Sequence, residues 1–259
     1  IYSDTCRDLR NISPLDDVVQ IKQIYLDRFT DIRHTHNRTG GGLEISAART
    51  GLVNAILEFL YERALHLFPE SASKLKLIAM GGYGRGYLNP YSDVDLLFLT
   101  IESSDNLPAP VTSAIESILY PLWDLGFKVG HASRNIAECL CEAIHDNRTL
   151  TSLLEARLIA GSSSSFEQLN TDFRNAVVNP RKQEYLQSRM RDLEKRHKKY
   201  SYTYLLQEPN VKESPGGMRD FQNILWTTNV TLNCRNLADI VAENLISSDD
   251  SRFLLEAVD

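Results

Sequence analysis

The feature that most constrains this chain lies between Leu75 and Leu99. Two short apolar runs flank Met80-Gly81-Gly82 and Ser92-Asp93-Val94-Asp95, with ten residues between Gly82 and Asp93. Leu75 to Ala79 and Val94 to Leu99 each have the length and composition of a strand. Side chains alternate along a strand, so Asp93 and Asp95 share one face while Val94 and Leu96 point to the other, into a core. Two carboxylates roughly 6–7 Å apart along the backbone repel and raise one another's pKa unless a cation joins them. A divalent metal is the simplest reason to place them so. Mg²⁺ suits carboxylate oxygens and keeps waters that phosphate oxygens can replace.

Gly81 and Gly82 read as the end of the first strand. Without Cβ atoms, they let backbone N–H groups come close to a phosphate. Arg85 would add a fixed cation for the phosphate tail, and Ser92 directly precedes the acidic pair. No Gly-Lys-Ser/Thr follows, so this is not a Walker A loop. Gly82-x-Gly84-x-Gly86 is not a dinucleotide fingerprint either, because an Asp-x-Asp strand follows where a helix should run. A glycine-rich hairpin or a solvent-facing Asp pair is ordinary on its own. The conjunction of strand, double glycine, Ser-Asp-x-Asp and apolar strand is far rarer, and it describes nucleotide chemistry.

The rest of the chain supplies the setting. Its 259 residues allow one large domain or two modest ones. A net charge of -6 gives no support for a nucleic-acid partner. No run reaches the roughly 18 apolar residues of a membrane helix, and no signal peptide opens the chain. No membrane partner is therefore expected. The first residue is Ile1, so the natural start is expected to be missing. Cys6, Cys139, Cys141 and Cys234 lack zinc spacing. Cys139 and Cys141 should point to different sides of a helix, and all four read as free thiols of a cytoplasmic protein.

Helical spacing marks Ile12 to Phe29 (Leu15, Val18, Val19, Ile21, Ile24, Tyr25) and Ile45 to Leu67. The polar segment Arg33 to Gly42 between them reads as a loop. After the second strand, Ala109 to Leu122 reads as helix and Gly126 to His131 as a third strand. Helices are expected over Ile136–Asp146, Thr149–Ile159 and Ser165–Val178. Glu184 to Tyr200 reads as a helix with a charged, solvated face, the loop Glu208–Gly217 interrupts, and helix resumes over Phe221–Thr228. The class is α+β: a small sheet unit with helical segments before and after it, without the βα alternation of a Rossmann domain.

The stretch Gly81-Gly82-Tyr83-Gly84-Arg85-Gly86 through Pro90-Tyr91-Ser92-Asp93-Val94-Asp95-Leu96-Leu97 resembles the signature of the DNA polymerase β nucleotidyltransferase superfamily. Within it, the chain is similar to the bacterial PII-protein uridylyltransferase/uridylyl-removing family. Trp123-Asp124-Leu125 with Val129-Gly130-His131, Glu155 to Gly161, and Glu208-Pro209-Asn210-Val211-Lys212-Glu213-Ser214-Pro215-Gly216-Gly217-Met218-Arg219-Asp220 carry the same likeness, in family order. The last segment discriminates most, since generic superfamily members lack it.

The resemblance implies an N-terminal helical region over 1–70, a polymerase β-like nucleotidyltransferase domain with a small mixed sheet over 71–162, and a helical domain over 163–259. It implies Mg²⁺-dependent transfer of UMP from UTP to a tyrosine of the PII signalling protein, with Asp93 and Asp95 as catalytic metal ligands. Metal-dependent HD and ACT domains would lie beyond Asp259, so uridylyl removal and glutamine sensing are expected to be absent from this chain. Other readings are a related nucleotidyltransferase with a different acceptor, and a catalytically silent domain that binds nucleotide or PII. Two positions depart from the family pattern. Tyr87 stands where the family usually has Glu, and the strand carrying His131 offers no third carboxylate, with Glu155 a weak substitute.

The segment Lys212 to Asp220 also has a reading of its own. Glycines followed by Arg219 and Asp220 open a helix whose N–H groups attract anions, with Lys212 and Arg219 strengthening that field. The loop is expected to fold over the nucleotide site. The bland alternative, a helix start with an acid in its first turn, weighs equally on the residues alone.

Overall fold

The computed structural model describes residues 1–12, 18–208 and 210–258. Leu15 and Pro209, used in the sequence reading, lie outside the described residues. The chain divides into two compact units, Ile1–Thr171 and Asp172–Asp259.

The first unit opens with helices α1 (Tyr2–Arg10), α2 (Val18–Thr39) and α3 (Gly42–Leu67). A loop was expected from Arg33, but α2 runs to Thr39. Residues 33–39 are polar yet contain no helix breaker, and Ile32 just before them is buried. The break comes at Gly40 and Gly41, both at positive φ (70° and 79°), which glycine adopts without steric cost. In α3 most of one long face is buried, including Leu52, Val53, Ile56, Leu57 and Leu60.

The sheet follows: β1 (Leu75–Ala79), β2 (Val94–Thr100), β3 (Val129–Arg134) and β4 (Arg157–Ala160), in the order β3-β2-β1-β4. β1 is antiparallel to both β2 and β4, while β3 is parallel to β2, so the sheet is mixed. Helix α4 (Gly81–Gly84) joins β1 towards β2, and α5 (Ala109–Asp124), α6 (Ile136–His145) and α7 (Asn147–Leu154) complete the layers. Leu75, Leu77, Ala79, Val94, Leu96 and Phe98 turn to one face. There they share a core with α3 and with Val111, Ala114, Ile118 and Leu122 of α5. The N-terminal helices and the sheet therefore bury one apolar interior, the dominant favourable contribution to folding.

Two expectations need correction. The third strand starts at Val129, three residues later than read, because Gly126 (φ 84°) forms the turn and Phe127 is buried. Thr149–Ile159 is not one helix: α7 ends at Leu154, and Arg157–Ala160 leaves as β4. Local propensity does not separate these residues from helix. The open edge of β1 takes them as a partner, a tertiary effect overriding local preference.

The second unit is helical. Helix α8 (Ser163–Phe173) leads into it through a π-helical turn, Arg174–Val178, followed by α9 (Asn179–Lys199), α10 (Met218–Leu232), α11 (Leu237–Ala242) and α12 (Ser248–Val258). The charged face of α9 is not wholly solvated. Arg196 is buried, and Arg189 stacks over Tyr185 and Trp226 with ring-centroid distances of 5.5 and 5.8 Å. No helix among the described residues is long and apolar enough to cross a membrane.

Candidate active site

Parity along β2 does what the sequence demanded. Val94 and Leu96 are buried in the α3/α5 core, so Asp95 must emerge on the opposite face, where it is half-buried. Asp93 precedes the strand and is exposed. Among the described residues no hydrogen bond or ion pair reaches either carboxylate. Burial, and then the charge of Asp93, pushes the Asp95 carboxyl above its ordinary range.

Gly81 and Gly82 do not end β1 as read; they open α4. Gly81 takes a left-handed φ of 53°, and a Cβ built there would stand 3.4 Å from Asp95 Oδ2 and 4.0 Å from Ser152 Oγ. The first N–H groups of a helix lack intrahelical partners, and the Asp95 carboxylate, without a partner among the described residues, lies beside Gly81 at the start of this one. Ser92 is exposed, and its backbone N–H donates to the Asn89 carbonyl at 3.1 Å.

Three features behind this turn escaped the sequence reading. Ser46, Thr50 and Asn54 fall at intervals of four on α3, and each holds a different part of it. Ser46 bonds Asn89 Oδ1 at 2.7 Å; Thr50 donates to the Gly86 carbonyl and accepts from the Leu88 N–H. Asn54 Oδ1 accepts the Tyr83 hydroxyl at 2.6 Å and Arg157 at 3.1 Å. A polar line at helical spacing inside an otherwise buried helix was the available signal. Arg157 reaches back from β4 to the Tyr83 and Gly84 carbonyls and stacks on the Tyr83 ring. Gly84 is the tightest point, since any Cβ there would collide with the Glu155 carbonyl oxygen.

Arg85 lies 3.4 Å from a Cβ position on Gly82, as a phosphate-facing cation would. Its guanidinium, however, pairs with the carboxylate of Glu155, which is 7% exposed. Glu155 is accordingly occupied by Arg85. His131, on the neighbouring strand that offers no acid, is turned away. It pairs with Leu96 and so faces the α5 side, with Phe98 and Trp123 ring centroids at 6.3 and 6.2 Å. The residue abreast of Asp95 on β3 is Gly130, where a Cβ would collide with Asp95 Oδ1.

These residues fit a hard divalent cation. The donor set is two carboxylates without a partner among the described residues, and one of them lies in a notch cleared by glycines. No group of three or more His, Cys, Asp or Glu side chains suited to a metal occurs among the described residues. An ion here would keep positions for water and phosphate oxygens, which matches Mg²⁺ better than a closed structural site.

The second unit places Lys212 in the open and Arg219 half-buried. Arg219 donates to Gln222 at 2.9 Å, approaches Glu213 at 3.5 Å and stacks over Trp226 at 5.2 Å. The loop is tied to itself. Asn210 Oδ1 accepts the Lys212 and Glu213 N–H groups, and the Met218 N–H bonds the Val211 carbonyl. Asp220, in the first turn of α10, accepts from Arg196, His197 and the Gly216 N–H at 2.8–2.9 Å. The anion at this helix start is thus the chain's own. The four cysteines are free thiols, with Cys139 buried and Cys141 exposed as their spacing required. Burial pushes the Cys139 thiol up to about 12.

Comparison with known proteins bears on the same residues. Residues 184–259 match the family model described as GlnD PII-uridylyltransferase. A bifunctional uridylyltransferase/uridylyl-removing enzyme of Hydrogenovibrio crunogenus is 41% identical over 200 residues, 77% of this chain and 22% of the relative. Enzymes of the same name match at 36% identity over 224 residues in Phenylobacterium zucineum (85% of this chain, 24% of the relative) and at 34% over 223 in Caulobacter vibrioides (84% and 23%). Matches this long reach well into the first unit. The chain spans less than a quarter of the length of each of these three relatives. Over the part it spans, the chain is similar to the GlnD PII-uridylyltransferase family.

Proposed function

We propose that this chain is the nucleotidyl-transferring part of a uridylyltransferase, moving UMP from UTP to a tyrosine hydroxyl of the PII signalling protein and releasing pyrophosphate. The observation that carries the reading is the Asp93/Asp95 pair, which no side chain among the described residues partners, set beside the backbone of Gly81. Asp93 and Asp95 would hold Mg²⁺, which when bound neutralises phosphate charge and polarises the reacting phosphorus. The glycine turn lets backbone N–H groups approach the phosphates, and α3 together with Arg157 fixes that turn. A tyrosine hydroxyl has a pKa near 10 and needs a base to attack. Asp93, the exposed member of the pair, would be one group able to supply it. The four free thiols suit a cytoplasmic setting.

The test is transfer of α-phosphate label from each of the four nucleoside triphosphates to purified PII, with Mg²⁺. Label on a PII tyrosine from UTP, lost in Asp93→Asn and Asp95→Asn, is the expected result. Binding of UTP without transfer would make the chain a sensor, and transfer to another protein alone would replace PII as the acceptor.

A further inference from the structure

A bound polyphosphate needs positive charge, and the two guanidinium groups at the glycine turn are already taken: Arg85 is held by Glu155, and Arg157 by Asn54 and the turn's carbonyls. The wall of the cleft offers another. Arg148, Ser152 and Glu155 follow one another at spacings of four and three along α7 and its C-cap, so they lie on one helix face. Glu155 sits at the Gly84–Arg85 end, and Ser152 Oγ lies 4.0 Å from a Cβ position on Gly81. Arg148 stands at the other end. A cleft of ≈ 300 Å³ runs along this face, with Asp95, Gly130, Arg134, Arg148, Thr149 and Ser152 among its lining residues.

The cleft therefore has a carboxylate end and a guanidinium end. Arg134 leans on Glu142 at 3.6 Å. The Arg148 side chain is exposed and makes no hydrogen bond or ion pair among the described residues. Its acidic neighbour, Asp146, feels the Arg148 charge without forming an ion pair with it, and uses its oxygens to cap α7, accepting the Arg148 and Thr149 N–H groups and the Thr149 hydroxyl. An anion spanning the cleft would meet a metal at Asp95 and a free guanidinium at Arg148.

We propose that Arg148, with Ser152, forms the polyphosphate-binding wall of this site, and that the phosphate chain of a nucleoside triphosphate lies along α7. This rests on the nucleotidyltransferase reading above. A free guanidinium suits phosphate because its fork can give paired, charge-assisted hydrogen bonds.

The test is calorimetric binding of α,β-methylene-UTP, tripolyphosphate and UMP to the chain with Mg²⁺. Arg148→Ala should weaken the methylene analogue and tripolyphosphate by about tenfold or more, leave UMP within roughly threefold, and keep the melting temperature. Arg148→Lys should recover part of the loss, since the charge remains without the fork. Unchanged affinity of Arg148→Ala for both polyphosphates would overturn the proposal while leaving the reading intact. Collapse of the triphosphate preference in Arg85→Ala but not in Arg148→Ala would move the phosphates to Arg85 and overturn it equally. If the unsubstituted chain bound neither the analogue nor tripolyphosphate, the nucleotidyltransferase reading itself would fall.

Discussion

Asp95 and Asp220 are the same residue type in nearly the same local setting. Each is partly buried and lies close to a glycine turn at the start of a helix. Their surroundings are opposite. Among the described residues no donor reaches the Asp95 carboxylate, and burial with the nearby charge of Asp93 pushes it up. At Asp220 burial also works to raise the pKa. Hydrogen bonds from His197, the Gly216 N–H and Arg196 outweigh it and hold the carboxyl below its usual range. A fold that partners an acid completely uses it to hold itself together. One that desolvates an acid and leaves it bare accepts a cost that something else must offset. The comparison thus separates a carboxylate kept for a ligand from one kept for structure.

The largest effect should follow from Asp95→Asn, which keeps shape and removes charge. Transfer should fall more than about 10³-fold, on the order of 4 kcal/mol of transition-state stabilisation. Without metal, the same variant should melt at or above the parent at neutral pH. The sign follows from linkage. A carboxyl whose folded pKa is raised weakens the fold when ionised, and that penalty fades as pH drops through the folded value. The gain should shrink in acid. A variant that loses stability at neutral pH without metal would show that Asp95 has a structural partner after all.

Next comes Gly130→Ala. Its methyl would occupy the space of Asp95 Oδ1, and the carboxylate can rotate away while the strand stays paired. Mn²⁺ affinity should drop about 10–100-fold, as for other groups that orient metal ligands, with little change in melting temperature. Equal affinity would mean the ion does not use that oxygen.

Asp220→Asn should do the reverse, costing about 1–2 kcal/mol of stability by weakening charge-assisted bonds. Here the folded pKa is depressed. The contribution is therefore present above the ordinary carboxylate value and lost as pH falls through the folded one. The difference in melting temperature between parent and variant should vanish in acid. Persistence of the whole difference below that range would exclude the ionised carboxylate as its source.

Much of this was legible in sequence because period-two and helical patterns report which face is buried. Alternation about Val94 and Leu96 put Asp93 and Asp95 in place, and the long apolar line of α3 was plain. What was lost depends on contacts distant in sequence. Leu158 and Ile159 become a strand only because β1 has a free edge, and polar residues 33–39 stay helical until glycine intervenes. The role read for Arg85 rested on closeness in sequence, and Glu155, seventy residues on, changes its circumstances. The third ligand was left open, and register with β2 turns His131 to the other face from Asp95.

The smallest effect, and the one that sharpens the comparison most, is expected from Tyr83→Phe. The hydroxyl is fully buried and donates to Asn54 Oδ1, but the same oxygen also accepts from Arg157. Deleting the donor leaves that acceptor satisfied, so the loss should be near the usual ~1 kcal/mol of a single neutral hydrogen bond, without an orphaned partner's penalty. The ring keeps its place under Arg157, and Thr50 still holds Gly86 and Leu88. The turn should therefore keep its shape and transfer should stay within about threefold of the parent, well under the tenfold that 1.36 kcal/mol represents. This variant places the α3 brace on the structural side of the divide, with Asp220. A rate loss of a hundredfold at unchanged stability would move the brace to the other side, and would mean that the position of the glycine turn is set by this one hydroxyl rather than shared among Ser46, Thr50, Asn54 and Arg157.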